Sequence, residues 1–321
     1  MKKLLKVLLA IVIVLGLFWG IVNIIPAYKP IEENPWRKAD LPFISAHRGG
    51  SELNPENTEM ALDYVINETD YTDIVEIDLR LTKDDKLIIN HDASINRMAL
   101  DEGDAEVLII EHTYNELKQY NLGKNFVDRN GNKPYENYTI TEAEEAGLTV
   151  MLLEEFLSKY QGVREFRAFI EVKDGKDVCR KIVDILETEL AKPENSWWNS
   201  RVMTISFTTD VMNYTLEKYP TRYVAGMGYG MAPQLIGSIL CLDSLFKSEY
   251  PCIQTSMISK AGPLKINCAT KRFVNAAHKR NQAVVYWTIN EEADMRKLID
   301  LGADIITTDA PDVLANVLRK K

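Results

Sequence analysis

Short apolar runs that alternate with longer amphipathic stretches constrain the fold of this chain more than any other feature. Eight runs have the length of buried strands, at residues 43–46, 74–79, 169–172, 202–206, 223–225, 253–255, 284–288 and 305–307. Helical patterns lie between most of them, at residues 59–67, 153–160, 178–190, 271–279 and 293–301. This order is typical of βαβ units and a parallel sheet. Because about 250 residues is the usual size of a closed barrel of such units, the sequence predicts an α/β fold, a (β/α)8 TIM barrel.

The N-terminal residues predict a single transmembrane helix. From Val7 to Tyr28 the chain carries no charged side chain, and roughly 20 apolar residues are enough for a helix to cross a bilayer. Lys2, Lys3 and Lys6 precede this run, so the positive-inside bias predicts a cytoplasmic N-terminus and an extracellular remainder. A cleaved secretory signal is the alternative, but its apolar region is shorter and ends at a small-residue cleavage site. We therefore expect an uncleaved, single-pass anchor in the cell membrane.

Two stretches after this helix have no barrel pattern. Residues 29–41 contain or adjoin Pro30, Pro35 and Pro42, and each proline lacks an amide donor and biases the preceding residue away from helix. Residues 96–148 are polar and rich in turn-forming residues, which indicates an insertion after the third strand region. The predicted organisation is an anchor at residues 1–28, a linker at 29–41 and a barrel at 42–321.

A third stretch, residues 226–270, carries many apolar side chains but no clear strand and helix alternation. It would form a substrate-side loop, a cap that faces the membrane, or a plain amphipathic helix packed on the barrel. We favour the plain helix, because apolar stripes at helical spacing generally face a core.

Charge and cysteine content narrow the function. The net charge is -9, and a negative field repels polyanions, so nucleic-acid binding is not expected. The cysteines at positions 179, 241, 252 and 268 lack the spacing of zinc or thioredoxin-like sites. Outside the cell, Cys241 and Cys252 are able to form a small-loop disulfide; two free buried thiols are the alternative.

Polar side chains at the first two predicted strands suggest a catalytic centre. His47 and Arg48 follow the first strand, at the end where a barrel of this kind holds its active site. Glu76 and Asp78 lie in the second strand at positions i and i+2. Because strand side chains alternate between two faces, these carboxylates point the same way and are able to share one cation.

Further charged residues arrive at the ends of other elements. His91 follows a short predicted strand at residues 86–89, and Glu154 lies at the start of a predicted helix. Glu171 and Lys173 end another strand on one face. Bases, metal ligands and phosphate-binding charges are thus all present.

These residues resemble the glycerophosphodiester phosphodiesterase family. Its pattern of His-Arg-Gly, Pro-Glu-Asn-Thr, Glu-x-Asp and His-Asp occurs here in order between His47 and Asp92. The membrane helix and residues 226–270 lie outside the resemblance. Met151 and Leu152 stand where the family usually has Pro-Thr, a departure in a loop that touches no expected ligand. Later motifs extend the resemblance over nearly all of the rest, at residues 153–157, 171–173, 206–207, 287–290 and 302–311.

The resemblance implies metal-dependent hydrolysis of glycerophosphodiesters to glycerol 3-phosphate and an alcohol. One divalent cation, Ca²⁺ or Mg²⁺, would be held by oxygen ligands and act as a Lewis acid on the phosphate. By resemblance, these ligands are Glu76, Asp78 and Glu154. His47 and His91 would be the general acid and base, because imidazole titrates near neutral pH.

The same resemblance implies roles for four more side chains. Arg48 and Lys173 would hold the substrate phosphate, although Lys173 fits equally well as a partner of Glu171 alone. Glu171 would be a further metal ligand or would orient one. Trp287 would form a wall of the substrate pocket, with a buried core tryptophan as the alternative.

The sequence leaves two other functions open. Phospholipases of the phosphatidylinositol-specific C type or the lysophospholipase D type resemble this barrel but act on lipids, and an anchored extracellular domain suits them. A barrel that binds glycerol phosphate without cleaving it is the non-enzyme alternative, and the presence of both histidines and all three carboxylates argues against it. Attack by the substrate's own glycerol hydroxyl and direct attack by water are both compatible with these residues.

Overall fold

The chain forms a closed parallel barrel, seen in a computed structural model that describes residues 2–38, 40–261 and 264–321. The strands are β1 (Phe43–Ala46), β2 (Ile74–Leu81), β3 (Leu87–Ile89), β4 (Arg167–Val172), β5 (Val202–Ile205), β6 (Tyr223–Gly226), β7 (Cys252–Thr255), β8 (Ile258–Ala261), β9 (Leu264–Asn267), β10 (Ala283–Tyr286) and β11 (Ile305–Thr308). Around the barrel the order is β1-β2-β4-β5-β6-β7-β10-β11, and β1 also pairs with β11. The predicted TIM barrel is confirmed.

Helices surround this barrel and connect its strands. They are α1 (Lys2–Ile24), α2 (Glu59–Asp63), α3 (Asn96–Ala99), α4 (Tyr114–Leu117), α5 (Ile140–Glu145), α6 (Leu153–Tyr160), α7 (Lys176–Leu190), α8 (Thr209–Lys218), α9 (Ala232–Leu240), α10 (Lys271–Lys279), α11 (Glu292–Leu301) and α12 (Pro311–Arg319). All eight predicted strands are strands of the barrel, and their ends differ from the prediction by no more than two residues. Apolar runs bounded by polar turns therefore marked the strands well.

Residues 96–148 lie between β3 and α6 and contain α3, α4 and α5. Their apolar side chains form a cluster of their own against β3, which includes Met98, Ile109, Leu117 and Leu122. Within residues 226–270 the expected amphipathic helix is α9, whose Leu235 is buried. The antiparallel hairpin β8–β9 in the same stretch was not predicted, and it pairs with no barrel strand among the described residues.

The described residues of the proposed linker, 29–38 and 40–41, form no regular helix or strand, but several of them contact the barrel. Trp36 is 0% exposed and stacks on Phe169 inside the barrel, with ring centroids 5.4 Å apart. The side-chain amide of Asn34 donates to the carbonyl oxygens of Pro251 and Asn281, both at 2.7 Å. These residues precede β7 and β10, so the segment closes the end of the barrel at which the strands begin. The predicted boundary at residue 42 is therefore corrected, because the core needs Trp36.

Replacing Trp36 with alanine is expected to destabilise the barrel by about 3–5 kcal/mol, because truncation of a buried tryptophan loses its transfer free energy and leaves a cavity. Urea unfolding of the full chain in detergent, followed by circular dichroism, measures this loss. Leu41→Ala is the matched control, since Leu41 lies in the same segment but is exposed. Equal stability of the two variants would contradict the structural role of Trp36.

Helix α1 is long and apolar enough to cross a membrane, a property that a signal sequence near an N-terminus shares.

All four cysteines are free thiols. Of the two alternatives for Cys241 and Cys252, the unpaired one therefore holds, with Cys252 buried and Cys241 partly exposed.

Candidate active site

One pocket opens at the end of the barrel where the strands finish, and it gathers most of the predicted site residues. His47 and His91 both line it, as do Arg48, Lys173 and Trp287. The remaining lining residues are Glu76, Glu171, Ile205, Phe207, Met227, Gln254, Thr288 and Thr307. The two histidines are thus brought to one cavity, although 44 positions separate them (91 − 47).

A tight turn after β1 places His47 and Arg48. Arg48, Gly49 and Gly50 all have positive φ angles, at 51°, 81° and 84°. A Cβ atom on Gly49 would lie 3.0 Å from the Cβ of Ala61, so glycine is needed there both for its φ and for close packing against α2. The amide of Arg48 donates to Glu76 Oε2 at 2.8 Å, which ties this turn to the carboxylate of β2.

Each pocket histidine is held through Nδ1 by an aspartate. His47 Nδ1 lies 2.6 Å from Asp309 Oδ1, and His91 Nδ1 lies 2.7 Å from Asp92 Oδ1. A carboxylate acceptor favours the tautomer with the proton on Nδ1. That arrangement leaves Nε2 of both rings as the nitrogen available for proton transfer.

The burial and charge of His47 oppose each other. Burial disfavours its imidazolium form, but the hydrogen bond with Asp309 and the charges of Glu76 and Asp309 outweigh it, so the pKa of His47 is raised above its usual 6.5. The pKa of Asp309 is lowered to about 2, because the hydrogen bond and positive charge of His47 outweigh its own burial. Asp309 also accepts hydrogen bonds from Ser51 and Asn290, which hold it in place.

Three buried carboxylates meet at the floor of the pocket, and two of them, Glu76 and Glu171, line it. Glu76, Asp78 and Glu171 each offer an oxygen, and these atoms lie within 4.8 Å of one another. Asp78 and Glu171 are directly opposite each other in the β2–β4 pairing. Carboxylate oxygens at this spacing are the donor set that hard divalent cations prefer.

Cations of the chain balance these carboxylates only in part. Lys173 Nζ lies 2.8 Å from Glu171 and 3.1 Å from Asp78, and Arg48 Nε lies 3.6 Å from Asp78. The pKa of Asp78 is lowered because Lys173 and Arg48 outweigh its burial. The pKa values of Glu76 and Glu171 are raised by burial and by the neighbouring charge of Asp78. Two carboxylates of the cluster thus lack full compensation. The group fits a divalent cation.

Glu154 is not part of this cluster, which corrects the predicted ligand set. Its side chain is 45% exposed and lies 3.3 Å from Lys86, at the start of β3, whereas His91 follows the end of that strand. In α6 the residues that face the core are Leu153, Phe156, Leu157 and Tyr160, so helical periodicity turns Glu154 outward. Glu171 takes the third position because β4 lies beside β2.

Several side chains at the site were not predicted. Glu56 accepts from Arg48 at 3.0 Å and from Arg97 at 2.6 Å, and Arg97 donates to Asp92 at 2.6 Å. A chain of ion pairs therefore connects Arg48 with the partner of His91. Glu56 lies in the Pro-Glu-Asn-Thr motif, so its place in the pattern was the available signal.

The far side of the pocket is formed by β7, β10 and β11. Trp287 lies edge-on to Phe207, with centroids 5.2 Å apart, which agrees with a wall of the pocket. Trp287 Nε1, Gln254 Nε2 and Thr307 Oγ1 are buried and have no hydrogen-bond partner. Buried polar groups are usually paired, so these three are available to a ligand's hydroxyl groups. Spacing alone did not single out Gln254 or Thr307.

The model of the glycerophosphoryl diester phosphodiesterase family matches residues 47–313. The chain belongs to this family. A glycerophosphodiester phosphodiesterase from Bacillus altitudinis is 26% identical over 270 residues, which cover 84% of this chain and 95% of that protein. A lysophospholipase D from Mus musculus is 25% identical over 290 residues and covers 85% of each chain. The family assignment explains why the motif residues meet in one pocket.

Solved structures of similar fold include family members. A phosphodiesterase from Oleispira antarctica, in complex with the product sn-glycerol-3-phosphate, matches with a TM-score of 0.63 and 20% identity over 87% of this chain and 97% of that one. A glycerophosphoryl diester phosphodiesterase described as putative, from Silicibacter pomeroyi, matches with a TM-score of 0.67 and 18% identity over 89% and 96%. At these identities the likeness establishes the shared barrel.

Replacing Asp309 with asparagine tests whether Asp309 raises the pKa of His47. Loss of the carboxylate charge is expected to lower the pKa of His47, so the limb of the pH–kcat/KM profile that reports His47 moves to lower pH. We expect kcat to fall by about 10- to 100-fold, as when the carboxylate partner of a functional histidine is removed. Ser51→Ala, which removes another Asp309 contact but keeps the charge, is the control. A lower kcat with an unmoved limb would make Asp309 a structural residue only.

Proposed function

We propose that this chain hydrolyses glycerophosphodiesters to glycerol 3-phosphate and an alcohol in the pocket lined by His47 and His91. The observation that carries the proposal is the meeting of two aspartate-held histidines with a buried cluster of three carboxylates in one cavity. An acid and a base on opposite sides of a phosphate, beside a cation site, are what phosphodiester cleavage needs. The family of the chain carries the same activity in its name.

Glu76, Asp78 and Glu171 would hold one divalent cation, either Ca²⁺ or Mg²⁺. Three carboxylate oxygens suit both ions, and Ca²⁺ tolerates irregular geometry better than Mg²⁺ does. When bound, the cation supplies Lewis-acid stabilisation of the negative charge on the phosphate. Asn57 Nδ2 donates to Asp78 Oδ2 at 2.8 Å, and this contact orients that carboxylate.

The histidines would carry the protons. One imidazole removes the proton from the attacking hydroxyl through Nε2, and the other donates its Nε2 proton to the oxygen of the departing alcohol. Asp309 and Asp92 stabilise the positive charge that appears on either ring. Each such transfer contributes typically 10²–10⁴-fold to the rate.

Arg48 and Lys173 would bind the phosphate oxygens. Both line the pocket, and both already contact the carboxylates of the cluster. A phosphate that enters would share their donors, since guanidinium and ammonium each have several N–H groups. Trp287 and Phe207 would enclose the glycerol or the alcohol, with the unpaired donors of Trp287 and Gln254 facing their hydroxyl groups.

We further propose that α1 is an uncleaved anchor with its N-terminus in the cytoplasm and the barrel outside the cell. The three lysines before the apolar run and the length of that run support this orientation. Protease digestion of intact cells that carry an N-terminal and a C-terminal tag tests it. We expect loss of the C-terminal tag and protection of the N-terminal one.

Hydrolysis assays on the purified full chain test the activity. Glycerophosphodiesters with different alcohols, lysolipids and a glycerol-phosphate polymer are each offered with Ca²⁺, with Mg²⁺ and with a chelator, and release of glycerol 3-phosphate is measured. We expect metal-dependent turnover of soluble glycerophosphodiesters. Preference for lysolipids would favour the activity named for the Mus musculus relative. A folded protein that turns over none of them would be a binding module.

A further inference from the structure

The last turn of α1 is hydrogen-bonded to the barrel domain. Val22 is 3% exposed, whereas most of α1 is open. The side-chain amide of Asn23 donates to the carbonyl oxygen of Cys241 at 2.9 Å, and Ser244 Oγ donates to the carbonyl oxygen of Val22 at 2.5 Å. Cys241 and Ser244 follow α9, so the segment at residues 241–245 touches the helix that would cross the membrane.

The depth of these contacts follows from the geometry of α1. Val22 lies 16 residues after Lys6 (22 − 6), which is about 24 Å along a helix. The apolar layer of a bilayer is about 30 Å thick. If Lys6 marks the cytoplasmic edge of that layer, Val22 lies near its outer edge. The barrel surface bonded to Val22 and Asn23 then lies at the same depth.

That surface presents a compact apolar face. Four side chains between residues 236 and 245 are 47–56% exposed: Ile236, Ile239, Leu240 and Leu245. The first three have the i, i+3, i+4 spacing of one face of a helix. We call these four residues the apolar seat. Elsewhere after residue 30, the described part of the chain exposes large apolar side chains only at scattered positions, such as Ile110 and Val163.

Close packing and hydrogen bonds hold the apolar seat against the rest of the protein. Phe246 packs so closely on Gly237 that a Cβ there would lie 2.7 Å from its ring. Arg272 donates to Asp243 at 2.7 Å and to the carbonyl oxygen of Ser238, also at 2.7 Å. The exposed face therefore belongs to a packed, ion-paired element, and its apolar side chains are presented in a fixed arrangement.

Polar and aromatic groups border the seat where the chain leaves α1. Tyr28 donates its hydroxyl hydrogen to Glu249 at 2.9 Å, and Lys247 Nζ lies 5.4 Å from the centroid of the Tyr28 ring. Tyrosine and lysine are enriched at the level of lipid headgroups. Apolar side chains on the seat, with tyrosine and lysine beside it, match the layered chemistry of a bilayer surface.

We propose that the apolar seat inserts into the outer leaflet of the bilayer that α1 spans. The proposal rests on the anchor put forward under the proposed function. The seat lies at the C-terminal end of α9, which leads back to the first residue of β7, and the catalytic pocket lies at the opposite end of the barrel. The pocket therefore opens away from the bilayer and receives its substrate from the aqueous phase, which favours soluble glycerophosphodiesters over lipids embedded in the same membrane.

Site-directed fluorescence tests the seat. The full chain carries Cys241→Ser and one new cysteine, Ile239→Cys, labelled with an environment-sensitive dye and reconstituted in phosphatidylcholine vesicles that contain lipids with nitroxides near the headgroup. Ile110→Cys is the matched control, an exposed isoleucine of the insertion. We expect several-fold stronger quenching and a blue-shifted emission for the dye at residue 239. Equal quenching at both positions would overturn the proposal.

A second labelling position and two further measurements complete the experiment. Leu245→Cys repeats the measurement if the first variant does not fold, and the same two outcomes apply. A blue shift without nitroxide quenching that disappears when the protein-to-lipid ratio is lowered would indicate a second copy of the chain on the seat and overturn the proposal. Turnover of a soluble glycerophosphodiester is measured in parallel. Its absence in the wild-type chain would refute the proposed activity but leave the quenching result intact.

Discussion

Replacing either histidine of the pocket with alanine is expected to lower kcat by about 10²–10⁴-fold while leaving the affinity for a divalent cation nearly unchanged. His47 and His91 line the same cavity, but each is held by an aspartate outside the carboxylate cluster. Removal of either ring therefore takes away a proposed proton donor or acceptor without removing a carboxylate of the cluster. Steady-state kinetics with a soluble glycerophosphodiester and calorimetric titration with Ca²⁺ and Mg²⁺ measure the two effects separately.

His112→Ala is the matched control for these variants. His112 lies in the insertion, where its Nδ1 contacts the carbonyl oxygen of Leu108 at 2.8 Å, and it does not line the pocket. We expect its kcat to remain near that of the wild type. If His47→Ala or His91→Ala lost the cation together with turnover, the histidine would be a ligand and its assignment to proton transfer would be wrong.

Replacing Glu171 with glutamine is expected to weaken cation binding and turnover together, whereas Glu154→Gln is expected to change neither. Glu171 lies opposite Asp78 on the neighbouring strand, and its replacement removes a negative charge from the buried cluster that would hold the cation. Lewis-acid stabilisation of phosphate charge contributes several kcal/mol, and each 1.4 kcal/mol corresponds to about tenfold in rate. We therefore expect kcat/KM to fall on the order of 10²–10³-fold at a fixed cation concentration.

Glu76→Gln provides a second member of the same class, since Glu76 lies in the cluster and accepts the amide hydrogen of Arg48. Raising the cation concentration should restore part of the activity of both cluster variants, because the defect is one of binding. Equal losses of cation affinity in Glu154→Gln and Glu171→Gln would contradict the proposed ligand set. Full activity of Glu171→Gln without added cation would contradict a metal at this site.

The local sequence pattern was sufficient to predict the site residues that lie close to one another in the sequence. Glu76 and Asp78 share a strand face because side chains alternate, and His47 follows a strand whose end marks the active side of a barrel. The local pattern did not distinguish Glu171 from Glu154 as the third member of the carboxylate cluster. Both are acidic residues at the edge of a regular element, and only the pairing of β4 with β2 brought Glu171 beside Asp78.

Trp36 illustrates the same limit at the other end of the barrel. Three prolines predicted an extended linker at residues 29–41, but nothing in the segment showed that its tryptophan would fill the barrel. That outcome depends on the size of the opening left by side chains from many strands, including Phe169 and Tyr223. The partners Asp309 and Glu56 were likewise recognised only through contacts with His47 and Arg48.

The sequence by itself determined the order of strands and helices, the parallel barrel they form, and which strand ends carry histidine, arginine and carboxylate, because these properties depend on hydrophobic periodicity along the chain. Only the tertiary structure decided that Glu171 completes the carboxylate cluster, that Trp36 closes the barrel, and that the segment after α9 meets the end of α1. Each of these is a contact between residues distant in sequence, and its geometry depends on strand register and helix packing that no local pattern specifies.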